Sequence, residues 1–132
     1  MSMFDDSPWR GRMLSVLRIA AGLLFVLAGT TKLFGFPSAI PHPLPTIVLA
    51  AGIMETFGGG LIVLGFLTRP VAFLLSGEMA VAYFKFHHVK SIYPTVNEGV
   101  PAALYCFIWL YLVFAGAGPW SIDALIFRGR RS

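Results

Sequence analysis

Five charged residues stand inside long apolar stretches of the sequence, where charges are rare. They are Arg18, Lys32, Glu55, Glu78 and Lys85. A charged side chain at the centre of a bilayer costs roughly 2.5 to 3.5 kcal/mol on insertion scales, and such residues often mark proton relays or substrate pathways. Three interpretations stay open: neutralised ion pairs that fix helix register, carboxyl groups that are simply protonated in the membrane, or a proton-linked or polar-headgroup site. In each case the sequence predicts one buried polar cluster.

The helical rise predicts which of these charges meet. At about 1.5 Å per residue, Glu55 and Glu78 both fall near the middle of their apolar stretches, and Arg18 has the reach to meet Glu78. Lys32 and Lys85 fall nearer to the opposite surface, on the side of Glu55. We therefore expect Arg18 to pair with Glu78, and either Lys32 or Lys85 to pair with Glu55.

A short polar stretch after Lys85 supplies further candidate site residues. His87, Asn97 and Glu98 are predicted to form the outer mouth of the cluster. No metal site is predicted, because the adjacent His87 and His88 point to different faces of a helix. Aromatic residues around Tyr105 are predicted to pack or face lipid, although a planar ligand would use the same kind of wall.

The composition excludes several classes of protein. Of the 132 residues, 57% are hydrophobic and only 12% charged, and the mean hydropathy of +0.77 is too high for an ordinary soluble domain. The net charge of +4 forms no basic run in a soluble segment, so nucleic acid is not an expected partner. Cys106 is the only cysteine, which excludes an internal disulfide, a thiolate metal cage and dithiol exchange within this chain.

The elements that must position the charges are membrane-spanning helices. The predicted spans cover about residues 13–33, 46–67, 71–86 and 100–116. The proline-rich stretch 36–45 cannot form a regular helix and is predicted to be an external loop. A cleaved signal peptide is disfavoured for the first span, because the rest of the chain is equally membrane-like. The prediction is an all-α, four-helix transmembrane bundle, a single domain over residues 1–132 in contact with the lipid bilayer.

Basic residues are distributed unequally between the two predicted sides. Seven arginines share one side, and Lys32, Lys85 and Lys90 lie on the other. The seven are Arg10, Arg12, Arg18, Arg69, Arg128, Arg130 and Arg131. The positive-inside rule then places both termini in the cytoplasm. The tail 120–132 combines apolar and basic residues, which predicts a short interfacial segment over anionic lipid; a frayed polar tail is the alternative.

The first predicted helix carries one stripe at alternating spacings of four and three residues. Its members are Arg18, Gly22, Phe25, Gly29, Lys32 and Phe36. Two charges and two glycines on one face predict that this face meets protein, with the glycines admitting a close helix neighbour. Gly52 and Gly59 repeat the pattern around Glu55 in the second span, so Glu55 is expected to point inward.

Short motifs follow one another along nearly the whole chain, from about Leu14 to Leu125. They are Arg18 with Gly22, Ala28 to Leu33, Glu55 with Gly58-Gly59, Leu64-Gly65, Thr68-Arg69, Gly77 to Phe84, His87, Asn97, Leu104 to Phe107, and Gly118 to Asp123. This ordered set resembles the DoxX family of small bacterial four-helix membrane proteins. One departure is Val100, which stands where relatives often carry an acid at the head of the fourth helix; Glu98 is the nearby candidate to replace it.

The resemblance implies a location and a loose association with redox chemistry. It implies the bacterial inner membrane, a quinone as the candidate cofactor, and a redox or sulfur-transfer protein as the candidate partner. One relative of the family belongs to a thiosulfate:quinone oxidoreductase, and others are associated with oxidative-stress and sulfur-transfer enzymes. A homo-oligomer stays open as well.

Three hypotheses of function follow. The first is a quinone-interacting or accessory subunit of a membrane redox, sulfur-metabolism or oxidative-stress complex. The second is a stand-alone quinone-linked oxidoreductase of small sulfur compounds, which predicts turnover by the isolated chain. The third is a small proton-coupled carrier, which predicts uptake into liposomes driven by a pH gradient and lost in Glu78→Gln.

Overall fold

The computed structural model describes residues 8–36 and 45–128, and all regular elements within these ranges are helical. The elements are α1 (Pro8–Phe34), α2 (Thr46–Leu64), α3 (Thr68–Ala82), a π-helical turn (Tyr83–His87), α4 (Pro94–Asn97), α5 (Val100–Ala115) and α6 (Ile122–Arg128). The predicted all-α class is confirmed. His42, most of the proline-rich stretch and Arg130 and Arg131 lie outside the described residues.

Two of the helices have the length and apolar character of membrane spans. These are α1 with 27 residues and α2 with 19 residues, while α5 is a shorter apolar helix. Large apolar side chains cover much of the outer surface, and Leu24, Phe57 and Phe107 are each more than half exposed. An apolar exterior of this extent is what a lipid solvent favours.

Helices α1 and α2 approach each other backbone to backbone. A Cβ atom added at Gly22 would come within 3.1 Å of the carbonyl oxygen of Gly59, and one added at Gly59 would come equally close to that of Gly22. At Gly29 the added atom would lie 2.5 Å from the backbone nitrogen of Thr56. The predicted glycine contacts are therefore confirmed, and they fix the register between the first two helices.

The second helix pair is α3 with α5, which encloses most of the apolar core. Leu75 from α3 and Trp109 and Leu112 from α5 are buried, and Phe25 reaches them from the glycine face of α1. The hydroxyl of Ser76 donates to the carbonyl oxygen of Cys106 at 2.8 Å, which ties the two helices together. Phe36, the last member of the predicted stripe, is 64% exposed instead of buried.

The turn between the second and third helices lies earlier than predicted. Helix α2 ends at Leu64 because Gly65 adopts a left-handed conformation, with φ of 70°, and donates its N–H to Ile62 while Phe66 donates to Leu61. Helix α3 then begins at Thr68, ahead of Pro70, since a proline in the first helical turn lacks only a donor that would be unpaired anyway. The carboxylate of Asp123 accepts the N–H groups of Leu67 and Thr68, both at 2.9 Å.

The third helix does not end as a regular α-helix. Its last turn, Tyr83–His87, is π-helical, so each residue there advances less around the axis than in an α-helix. The stretch that follows contains the short helix α4, where the sequence predicted only a polar connection. These two features place Tyr83, His87 and Asn97 at one end of the α3–α5 pair.

Candidate functional site

A cavity of about 330 Å³ lies between the helix pairs, and α1, α2, α3, the π-helical turn and α5 all contribute to its lining. Its polar side chains are Lys32, Glu55, Glu78 and His87. Apolar and aromatic groups, among them Phe25, Phe86 and Tyr105, form the rest of the wall. The volume is at the lower end of the range of small-molecule sites, and a mostly apolar wall with a few convergent polar groups is typical of them.

The centre of the cavity is an ion pair between α1 and α2. The Nζ atom of Lys32 lies 2.6 Å from Oε1 of Glu55 and donates a hydrogen bond to it. The side chain of Glu55 is only 2% exposed, whereas that of Lys32 is 28% exposed. This is one of the two pairings that the sequence predicted for Glu55. The glycines of α1 and α2 make it possible, because they bring the two backbones close enough for the side chains to meet.

Glu78 lies beside this pair but is not part of it. It lines the same cavity and interacts electrostatically with Glu55 and Lys32. Both of its carboxyl oxygens are buried and have no hydrogen-bond partner among the described residues. Since a buried polar atom without a partner is unfavourable by about 1 to 3 kcal/mol, these oxygens are the natural contact atoms for a ligand.

Aromatic rings form one wall of the cavity. The ring centroids of Phe25 and Tyr105 lie 5.0 Å apart, and Tyr105 stacks on Trp109 at 5.8 Å with an interplanar angle of 16°. Phe25 also meets the edge of Trp109 at 5.1 Å. From the sequence these aromatic residues were predicted only to pack or to face lipid, because their spacing does not indicate which of them face a cavity.

The outer end of the cavity is built by the π-helical turn. Nδ1 of His87 lies 3.0 Å from the carbonyl oxygen of Asn97, and the Asn97 amide donates to Ser91 and Tyr83. Asn97 is fully buried and its own side-chain oxygen accepts the N–H of Gly99 at 2.8 Å. Of the residues predicted to form the outer mouth, His87 lines the cavity, and the carbonyl oxygen of Asn97 holds the His87 ring in place.

Lys85 and Glu98 are exposed residues that do not line the cavity. Lys85 is exposed and absent from the lining, because the wider π-helical turn brings Phe86 to the position that Lys85 would take in a regular α-helix. Glu98 is exposed as well; it has a left-handed backbone, with φ of 61°, and caps the end of α4. The prediction that placed Lys85 in the buried cluster was wrong, whereas the placement of Glu98 at the outer mouth stays a prediction.

The predicted pair between Arg18 and Glu78 was also wrong. Arg18 is completely buried, but its guanidinium donates to four backbone carbonyl oxygens, those of Ile62, Val63, Ala117 and Trp120. The first two belong to the last turn of α2, where the Ile62 carbonyl oxygen also accepts the N–H of Gly65. These four acceptors hold the guanidinium outside the cavity, whose lining does not include Arg18.

Arg18, Ser15 and the backbone around Ala117 and Trp120, here called the Arg18 junction, join the two ends of the described chain. Ser15 accepts the N–H of Trp120 at 3.1 Å, and a Cβ atom at Gly118 would come within 2.5 Å of the Ser15 hydroxyl. Asp123, which binds the start of α3, also interacts electrostatically with Arg18. Sequence reasoning missed Ser15 and Asp123. The available signal was Gly118 in the Gly-Pro-Trp-Ser stretch, which marks a tight turn.

The donor set of the cavity suits an organic ligand better than a metal ion. Within residues 8–36 and 45–128, no three His, Cys, Asp or Glu residues come together to hold a metal. Lys32 supplies N–H donors, Glu78 supplies a carboxyl group, and Phe25 and Tyr105 supply ring faces. This combination can bind a planar headgroup that carries oxygen atoms.

Comparison with known proteins gives a consistent set of relatives. A sequence model of the DoxX family matches residues 13–88. The chain is 40% identical to a protein of Haemophilus influenzae described as uncharacterized, over 96% of this chain and 99% of that protein. It is 32% identical to the inner membrane protein YqjF of Escherichia coli, over 84% of this chain and 89% of that protein. It is also 37% identical to the inner membrane protein YphA of Escherichia coli, over 54% of this chain and 56% of that protein. No solved structure matches the chain.

Proposed function

The chain belongs to the DoxX family of membrane proteins, and from this premise we propose that it is a four-span inner-membrane protein that binds the headgroup of a quinone. In this proposal it serves as an accessory subunit of a membrane redox, sulfur-metabolism or oxidative-stress complex. The cavity that brings Lys32, Glu55 and the unpartnered carboxyl of Glu78 together against an aromatic wall carries the proposal.

Four helices are available as spans. Besides α1 and α2, helix α3 of 15 residues continues through the π-helical turn of 5 residues, which reaches about 30 Å at about 1.5 Å per residue. Helix α5 has 16 residues, or about 24 Å, and α4 lies at its N-terminal end. These lengths are near the thickness of a hydrocarbon core of about 30 Å.

Both termini are proposed to lie in the cytoplasm. The N-terminal half of α1 and the segment that follows α5 meet at the Arg18 junction, which supports placing the two ends on one side. Arg69 lies there too, since it donates to the last carbonyl oxygens of α5. Arginines at this end favour the cytoplasmic side by the positive-inside rule.

The cavity residues fit a quinone headgroup in three respects. Lys32 has N–H donors beyond the one that it gives to Glu55, and quinone oxygens accept hydrogen bonds. Phe25 and Tyr105 offer ring faces for a planar ring. A bound quinone supplies two-electron, two-proton carrier chemistry; the protein's residues bind and orient the headgroup and keep water from it.

An accessory role is favoured over a stand-alone oxidoreductase of sulfur compounds. The lining holds an acid, a base and aromatic rings, and the described residues place the thiol of Cys106 against Ser76 instead of in the cavity. A second protein would then supply the sulfur or oxygen chemistry, and this chain would hold the membrane carrier.

The test is mass spectrometry of the organic extract from protein purified in a mild detergent. The wild type and the controls Lys85→Gln and Glu98→Gln should carry a quinone in near-stoichiometric amount, because both controls change residues outside the cavity. Glu78→Gln and Lys32→Gln should lose most of it. An extract without quinone from the wild type, or equal amounts in all five proteins, would overturn the proposal. Turnover of the loaded chain alone would replace the accessory role with the enzymatic one.

A further inference from the structure

The cavity occupies one half of the bundle. Helix α2 ends, α3 begins and α5 ends around the Arg18 junction, where Arg18 binds the end of α2 and Asp123 binds the start of α3. The lining comes from the opposite ends of these helices, together with the C-terminal part of α1 and the π-helical turn. Lys32 lies in the last turn of α1, for example, and Pro101 lies in the first turn of α5. We call this end, away from the Arg18 junction, the outer end of the bundle.

The exposure of the lining residues changes along the cavity. Phe86 is 39% exposed and Pro101 is exposed as well, and both lie at the outer end. Phe25, Glu55 and Met79 lie more than two helical turns farther in, and they are only 1%, 1% and 6% exposed. The cavity therefore has a buried floor and an entrance at its outer end, with Phe86 and Pro101 at the rim.

The inner half of the bundle is packed. Ile62, Ala72 and Leu112 are all 0% exposed in the core near the inner ends of α2, α3 and α5. Beyond them, Arg18 donates to the end of α2 and to the segment after α5, and Asp123 accepts two N–H groups at the start of α3. These contacts tie the helices together at the inner end. Within residues 8–36 and 45–128, the cavity therefore has its entrance at the outer end.

We propose that the cavity opens to the outer side of the membrane and takes up and releases its ligand only through that entrance. The proposal rests on the proposed function for the ligand, a quinone, and for the side, because cytoplasmic termini place the outer end on the periplasmic side. A quinone suits such an entrance, since its polar ring can pass Phe86 from the interface while its apolar tail stays among the lipid chains. A partner that uses the bound quinone then has to act at the outer leaflet.

The experiment is labelling of single cysteines in the full chain with a small, membrane-impermeant methanethiosulfonate, in a Cys106→Ala background. The chain is produced in bacteria that make no quinone, so that the cavity is free of it at the start. Ala51→Cys is the probe, because Ala51 is half-buried and lines the cavity on α2. Val89→Cys and Leu125→Cys mark the outer and the inner side, and Ala72→Cys marks the packed half.

The label should reach Ala51→Cys from one side only. Ala51→Cys should react in intact spheroplasts, like Val89→Cys, and stay unmodified in inverted vesicles, where Leu125→Cys reacts. Ala72→Cys should react in neither preparation. Decylubiquinone at about ten times its Kd leaves about one cavity in eleven empty, so it should slow the reaction of Ala51→Cys about tenfold. The reaction of Val89→Cys should not change.

Variants of Phe86 test the position of the entrance. With Ala51→Cys as the probe, Phe86→Ala should speed the reaction severalfold and Phe86→Trp should slow it, because the ring narrows the entrance. Phe107→Ala is the matched control and should leave the rate unchanged, since Phe107 is 68% exposed and is not part of the lining. Equal rates in the wild type and both Phe86 variants would overturn the entrance at Phe86.

The remaining outcomes separate this proposal from the proposed function. Reaction of Ala51→Cys from the inner side, or from neither side while Val89→Cys reacts, would overturn the outer entrance. Reaction of Ala72→Cys as well would also overturn it, because the inner half would then be open. Reaction from the outer side that decylubiquinone does not slow would overturn the proposed function and leave the entrance standing. Ala82→Cys, at a half-buried lining residue of α3, repeats the test where Ala51→Cys fails to fold.

Discussion

The guanidinium of Arg18 is a structural group, because its N–H groups are directed to the backbone carbonyl oxygens of two chain segments. Two acceptors belong to the end of α2, and two belong to the turn that follows α5. The planar fork of arginine suits this arrangement, whereas a lysine offers one nitrogen on a flexible stem.

Arg18→Lys should destabilise the protein strongly, although it keeps the positive charge. An ammonium has three N–H groups, so at least one of the four carbonyl oxygens loses its donor, which lowers the free energy of unfolding by about 3 kcal/mol and the melting temperature by about 10 °C. Thermal unfolding in detergent, followed by circular dichroism, measures the change. Arg12→Lys is the control; its guanidinium lies 4.9 Å from the Trp9 ring centroid, and about 1 kcal/mol or less is expected there. Equal melting of the two variants would contradict the assigned role.

The ion pair in the cavity leads to a second prediction at this scale. A double-mutant cycle of Lys32→Gln and Glu55→Gln should give a coupling energy above about 1 kcal/mol, because each single change leaves the partner's charge unpaired in the cavity. The same cycle with Lys85→Gln in place of Lys32→Gln should give none, since Lys85 is exposed. Coupling of Glu55 to Lys85, or none to Lys32, would contradict the observed pairing.

The charged residues show what the sequence could and could not predict. Periodicity and depth were sufficient for Lys32 and Glu55, because two regular helices with glycine contacts carry them. The same reasoning failed for Arg18, since its acceptors are backbone carbonyls of a turn and a helix end, which periodicity does not encode. It failed for Lys85 because a π-helical turn alters the face that each residue takes.

At the scale of elements, the close contact of α1 with α2 brings Lys32 within reach of Glu55. Gly29 and Gly77 make a matched pair of helical glycines: a Cβ atom at Gly29 would meet backbone at 2.5 Å, while one at Gly77 would meet nothing within 4 Å. Gly29→Ala must therefore push the helices apart, whereas Gly77→Ala only adds a better helix former.

Gly29→Ala is expected to lower the free energy of unfolding by about 1 to 3 kcal/mol and to reduce quinone retention, because Lys32 moves away from Glu55. Gly77→Ala should leave stability unchanged or raise it by up to about 1 kcal/mol. Melting curves and extracted quinone, measured on the same preparations, check both. A stable Gly29→Ala with full retention would show that the close contact is unimportant for the site.

Element boundaries were harder to predict than the elements themselves. Apolar length was enough to identify α1 and α2, and the polar stretch after the third helix was correctly placed. The end of α2 at Leu64 depends on the left-handed Gly65, and the start of α3 depends on Asp123, more than fifty residues later in the chain. A contact at that separation leaves no mark in the local pattern.

At the scale of the whole molecule, the proposed topology predicts where the chain is accessible. In a Cys106→Ala background, Val89→Cys should react with a membrane-impermeant maleimide in intact spheroplasts, whereas Leu125→Cys should react only after lysis. Both positions are about equally exposed, at 74% and 70%, so the difference reports the side of the membrane. Labelling of both cysteines before lysis, or the reverse pattern, would contradict four spans with cytoplasmic termini.

The cavity between the helix pairs is proposed to hold a quinone headgroup, and photolabelling tests this site most directly. An azidoquinone is irradiated with the wild-type protein in nanodiscs, and the labelled peptides are mapped by mass spectrometry. We predict adducts on cavity residues such as Phe25, Phe86 and Tyr105, suppressed by excess decylubiquinone and reduced in Glu78→Gln but not in Glu98→Gln. Adducts confined to the outer face, at Phe57 or Phe107, and insensitive to competitor would contradict the claim.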